Sequence, residues 1–170
     1  IYKKFFYSYD HRIKKFLSIL EQNNINTIKP HNIIVSNQKI LKWAESFKGD
    51  IYDLKNFNFR SSNIGLGVAS SLISYVQESN PDLNQYRKLI INSLMDSARI
   101  YIITQNLIKK IKPKKIITFN GRFATANAIS MAARKLNVEI NYHERGSGYD
   151  KYEVFNDTLH SSSFVKKLIK

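Results

Sequence analysis

The sequence predicts an α/β fold, a parallel sheet flanked by helices, and three observations predict it. Residues 114–149, KKIITFNGRFATANAISMAARKLNVEINYHERGSGY, read as strand, tight loop, helix, strand, loop. Helical and extended periods alternate before that stretch, as they do in parallel layer architectures. The chain of 170 residues is long enough to bury one core. It carries no run of ~18 apolar residues that would read as a membrane-spanning helix. The expectation is therefore one α/β domain over residues 1–170.

The elements follow in order. Tyr2–Tyr9 is aromatic and basic and reads as a first strand or a cut end. Asp10 suits the N-cap of a helix from His11 to Gln22, with Ile13, Phe16, Leu17 and Leu20 on one face. Asn23-Asn24 ends that helix. Residues 25–28 and 33–35 read as short strands around Pro30. Ser36 or Asn37 caps a helix over Gln38–Phe47, which Gly49 closes. Asp50–Phe59 fits either a strand or a packed loop. Gly65 and Gly67 precede a helix over Val68–Gln77; this Gly-x-Gly lacks a preceding strand and a third glycine, and close helix packing explains it better than phosphate binding. Asn80-Pro81-Asp82 starts a long helix that keeps its period to Ile111 and stops at Pro113.

The central unit comes next. Ile116, Ile117 and Phe119 make a buried-strand run. Ala124, Ala126, Ala128, Ile129, Ala132, Ala133 and Leu136 recur at helical spacing, and Asn137 suits a left-handed helix end. Val138, Ile140 and Tyr142 alternate with polar residues as a second strand. Residues 149–155 read as another short strand, and residues 164–170 as a truncated helix. Ligands of an open parallel sheet bind beyond the carboxyl ends of its strands. A right-handed crossover puts Asn120-Gly121-Arg122 and His143-Glu144-Arg145-Gly146 on one such edge. Gly121 allows close backbone approach. The helix start after it suits an anion, and Arg122 and Arg145 can each fork onto a phosphate.

These residues carry a resemblance. Phe-Asn-Gly-Arg-Phe-Ala (119–124), a helix ending Ala-Ala-x-Lys-Leu-x-Val (132–138), and His-Glu-Arg-Gly-Ser (143–147) are similar to a motif pair of bacterial capsular and surface-polysaccharide glycosyltransferases. The match is dense over residues 116–152. It is weaker at residues 61–72, SSNIGLGVASSL, and little else compares. The resemblance implies the N-terminal, Rossmann-like half of a GT-B-like fold. It implies sugar transfer from a nucleotide-sugar to a glycan or lipid-diphosphate acceptor, with no metal and no further cofactor. It assigns acceptor binding mainly to this half, so the chain, which starts at Ile1 and shows no second half, reads as a fragment inactive alone. The expected place is the cytoplasm, with which the lack of cysteine is compatible, and the basic surface suits a lipid-diphosphate acceptor at the anionic inner face of the membrane.

Roles within the crevice follow from residue chemistry. Transfer to a hydroxyl needs a base for the acceptor proton. Glu144 and His143 are the candidates, and because strand neighbours point to opposite faces only one of them can face the crevice. Arg122, Arg145, Asn120, Gly121 and Gly146 are the candidate substrate and phosphate binders. The resemblance adds His160. Each has a plainer alternative: Asn120 as a turn residue, Glu144 in an ion pair with Arg122 or Arg145, His143 as a packed ring. Four isolated histidines and no Asp-x-Asp argue against a metal site, and no Ser nucleophile elbow is present.

The net charge of +14 fits a phosphate-bearing partner, or only an AT-rich codon bias. A basic nucleic-acid-binding module is the first rival reading, but no RNP, KH or helix-turn-helix pattern supports it, and no nucleic-acid partner is expected. A sugar-nucleotide epimerase on the same fold and a non-catalytic partner subunit are the others. The absence of cysteine removes disulfides and thiol chemistry.

Overall fold

The structure, a computed structural model, describes residues 2–28, 37–146, 148, 151–158 and 166, and among these not the side chains of 2–10 and 12. The chain divides into two compact units, residues 1–34 and 35–170.

Among the described residues, the first unit holds the helix α1 (Tyr2–Gln22). The aromatic stretch expected to be a strand is its first half, and Asp10 lies inside it. Nothing in residues 2–10 interrupts a helix, since Gly and Pro are absent there. Asn24, at φ +57°, forms the left-handed end. The Ile25 amide donates to the Leu20 carbonyl at 2.9 Å and the Asn24 amide to Glu21 at 3.0 Å, a Schellman ending. Residues 25–28 form no strand. The expected strand at 33–35 and the cap at Ser36 lie outside the described residues.

The second unit is a helical layer against a small sheet. Helix α2 (Asn37–Glu45) leads to α3 (Ile51–Lys55). The segment left open between strand and loop is thus a short helix. Asp50 accepts from the amides of Tyr52 and Asp53, and Asp53 accepts from the Asp50 amide, which makes a capping box. Helix α4 (Gly65–Val76) and the long α5 (Arg87–Ile111) follow. α5 begins later than Pro81 because Asp82 accepts the Asn84 amide and holds residues 82–86 in turns. It still spans about 37 Å, and Lys112 ends it in the left-handed region at φ +52°. Ala44, Phe47, Ile51, Leu54, Val68, Leu72, Ile90 and Leu94 bury one core between these helices.

Strand β1 (Lys115–Phe119), helix α6 (Ala124–Lys135) and strand β2 (Glu139–Arg145) form the expected β-α-β unit, with β1 and β2 parallel from Lys115↔Glu139 to Phe119↔His143. Asn137 at φ +55° ends α6, again with a Schellman pair, Val138 to Ala133 and Asn137 to Arg134. The third strand, β3 (Tyr152–Phe155), pairs with β2 antiparallel, from Tyr142↔Phe155 to Arg145↔Tyr152. The fold is therefore mixed α/β: a three-stranded sheet of order β1-β2-β3, parallel in one pair and antiparallel in the other, where an all-parallel sheet was expected. β3 also explains why β2 continues through His143-Glu144-Arg145, the residues expected to form a loop. Once β1 ends, the antiparallel partner keeps satisfying the β2 backbone.

One face of this sheet is packed. Ile140 and Tyr142 of β2 cluster with Ala133 of α6 and Ile108 of α5, all buried. α6 in turn lies against α5 and α4, where Ala128 and Ala132 meet Ile64, Ala98 and Tyr101. α4 and α6 approach closely at Gly67, where a Cβ would come within 2.6 Å of the Asn127 Cβ. The packing role read for Gly67 is what its surroundings impose. The other face of the sheet leaves Ile117, Phe119, Tyr152 and Val154 exposed.

Candidate functional site

The loop after β1 is built by local backbone chemistry. Asn120 and Gly121 take φ of +59° and +76°. The Asn120 amide still donates to the His143 carbonyl, extending the β1–β2 ladder by one step. Its side-chain Oδ1 accepts the Arg122 amide at 3.0 Å, so Asn120 holds the turn. The Asn120 carbonyl accepts from Thr158 Oγ1 at 2.8 Å. Gly121 is there for two reasons: its φ, and the Tyr142 ring, whose nearest carbon would lie 2.3 Å from a Cβ.

The turn delivers the chain to the start of α6. Phe123 offers no side-chain cap. Ser71 of α4 substitutes for one, accepting the Ala124 amide at 2.9 Å. The amides of Thr125 and Ala126 have no partner within the helix, and the helix start carries a partial positive charge. Arg122 lies beside it, half-buried. One Arg122 nitrogen donates to Ser74 Oγ at 3.4 Å, and the guanidinium sits 5.3 Å from the Phe123 ring centre. Among the described residues, no carboxylate pairs with it.

These elements wall a cleft of about 470 Å³. Leu66 and Ser70 of α4 form one side, and Asn127, Ser130, Met131 and Arg134 of α6 another. Gly121, Arg122, Tyr142 and Thr158 complete it. Arg134 at the far end is held by Asp157 at 3.3 Å and by the Tyr142 hydroxyl at 3.3 Å. Asn127 is 4% exposed, and its Oδ1 has no hydrogen-bond donor.

The expected residues divide by sheet face. Gly121 and Arg122 line the cleft, and Asn120 supports them from below. Glu144 lies on the Tyr142 face of β2, two residues further along, half-buried, with Glu153 opposite on β3. His143 points to the other face, where its ring lies 5.3 Å from Phe119 and 6.3 Å from Tyr152. Arg145 shares that face and is exposed. The alternation that allowed only one of His143 and Glu144 into the crevice therefore leaves Glu144 on the face that packs against α6, although Glu144 is not one of the residues that line the cleft. The Gly146 amide donates to the Lys151 carbonyl at 2.7 Å and closes the β2–β3 connection. His160 lies outside the described residues.

The sequence reading did not single out Asn127, Ser130, Arg134, Ser70 or Tyr142 as site residues. A signal existed: 127, 130, 131 and 134 recur at helical spacing directly after the arginine, and Ser70-Ser71 with Ser74 makes a hydroxyl-bearing stripe on α4. Among the described residues, no group of three or more acidic, histidine or cysteine side chains can hold a metal ion. No helix of the described residues is long and apolar enough to cross a membrane. No known protein family, curated protein or solved structure matches the chain.

Proposed function

We propose that the chain is the acceptor-side, Rossmann-like half of a metal-independent, GT-B-like glycosyltransferase for bacterial surface polysaccharide. In this reading the cleft beside α6 receives a sugar carried on a diphosphate. The observation that carries it is Arg122. A half-buried guanidinium stands at a helix N-terminus, where its charge opposes the helix dipole, and no carboxylate among the described residues neutralises it. An anionic ligand held by the guanidinium and the adjoining amides resolves that conflict. The hydroxyls and amide along the cleft supply the polar groups that a sugar needs, and β1 ends at the loop that presents them.

Glu144 is the general base of this proposal. Its carboxylate, on the Tyr142 face of β2, takes the proton of the acceptor hydroxyl as that oxygen bonds to the sugar carbon and the nucleotide diphosphate leaves with the electron pair of the broken glycosyl–phosphate bond. His143 and Arg145 have no direct part in it. The nucleotide-sugar is the donor and binds to a second half.

Isothermal titration of the chain with a short prenyl diphosphate-linked glucose tests the proposal. Binding is expected, and Arg122→Ala should weaken it roughly tenfold or more, the size of a charge-assisted contact. Equal binding by the variant, or binding of nucleic acid with no response to carbohydrate diphosphates, overturns it.

A further inference from the structure

Asn127 carries information that Arg122 does not. It is the fourth residue of α6, and its amide is spent on the Phe123 carbonyl at 2.8 Å. Gly67 of α4 lies so close to its side chain that a Cβ there would come within 2.6 Å of the Asn127 Cβ. Yet Oδ1 is buried and lacks a donor, while Asn127 belongs to the wall of the cleft. A buried acceptor without a donor is costly, and native folds rarely retain one without a use for it.

We infer that this cleft discriminates for a glycosyl phosphate, with Arg122 and the α6 amides holding the phosphate and Asn127 Oδ1 accepting from a sugar hydroxyl or N–H group next to it. This deepens the reading above and rests on it. Two features set the ligand class. The first is spacing: Asn127 lies one turn, about 5 Å, along the axis from the helix start, the reach from a phosphate to a substituent on the ring that bears it. The second is charge. Arg134 at the opposite end is already neutralised by Asp157, so the cleft is cationic at one end only. It suits a ligand charged at one end and hydroxylated at the other, and disfavours one with anions at both. Ser130 donates its proton to the Ala126 carbonyl at 2.7 Å and so offers only lone pairs to the cleft. Asn127 Oδ1 and Ser130 Oγ thus both ask the ligand for donors, which sugars carry in excess.

The test compares two phosphate monoesters on the unmodified chain, glucose 1-phosphate and methyl phosphate. They share the anion and differ in the hydroxylated ring. Glucose 1-phosphate should bind roughly tenfold tighter. Asn127→Ala should erase that preference while leaving methyl phosphate within about twofold, and Arg122→Ala should weaken both probes. Competition by prenyl diphosphate-linked glucose supports the inference, whereas competition by UDP-glucose alone puts the donor in the cleft and overturns the acceptor-side reading on which the inference rests. Equal affinity of the unmodified chain for the two probes overturns the inference while leaving the anion site standing, as does an unchanged preference in a folded Asn127→Ala. If neither probe nor either carrier binds, the functional reading falls with it. The two-probe comparison needs no variant, so a folding defect at position 127 does not block it.

Discussion

Gly121 carries two constraints in one residue. Its φ of +76° costs an L-residue, and the Tyr142 ring occupies the space of a Cβ. Gly121→Ala should therefore destabilise the fold by about 2–4 kcal/mol, the sum of backbone strain and overpacking, read as a lower urea midpoint at an unchanged slope. Glu144 invites a functional test instead. Glu144→Gln should lower sugar transfer by about two to four orders of magnitude, with the donor-binding half supplied, if the carboxylate removes the acceptor proton. An unaltered rate removes Glu144 from the mechanism. At this scale much was legible in advance. Gly121 reads as conformational because it follows a strand and precedes a helix, and the His143–Glu144 alternative follows from strand geometry alone. Which of the two lies on the packed face was not legible, because that depends on the side of the sheet that α6 covers. Asn127 was hidden for a related reason: nothing local distinguishes it from any helical asparagine until α4, packing at Gly67, buries its Oδ1 beside the cleft.

At the scale of elements, the capping box at Asp50 is the cleanest local device. Asp50→Ala removes two side-chain acceptances and should cost about 1 kcal/mol, seen as a drop in Tm. Because α3 buries Ile51 and Leu54 in the helical core, the loss should spread to the whole unit and leave the unfolding transition cooperative. The signal was present in the sequence as Asp-x-x-Asp, but residues 50–59 were read by their apolar period, which a five-residue helix is too short to display. The same limit of periodicity explains the two ends that moved. Asp82 competes for the backbone and delays α5, and β3 lengthens β2 through a residue pairing that no single-strand pattern contains. The β-α-β unit itself was readable, because its alternation, its glycine turn and its asparagine stop agree with one another.

At the scale of the molecule, charge and exposed apolar surface combine. The chain carries +14, and on α1 Ile13 and Phe16 are 39% and 59% exposed beside Lys14 and Lys15. A basic helix with exposed apolar residues suits the headgroup region of an anionic bilayer. Co-sedimentation with vesicles containing phosphatidylglycerol should capture the chain at low salt and release most of it at about 0.5 M salt, where screening lengths fall to a few ångströms. Retention at high salt, or equal capture by neutral vesicles, contradicts an electrostatic membrane contact. No single residue foretells this, since the basic excess is spread along the sequence and its meaning depends on which side chains stay uncovered.

The meeting of α4 and α6 at Gly67 has a mechanical consequence. Because α4 adds no side chain of its own there, the Asn127 side chain of α6 rests close against the α4 main chain. The spacing between those two walls of the cleft is then gauged on one side by main chain, as a caliper is set by its fixed jaw. Substitutions elsewhere along the walls can retune which groups are gripped, while a larger residue at position 67 resets the jaw itself.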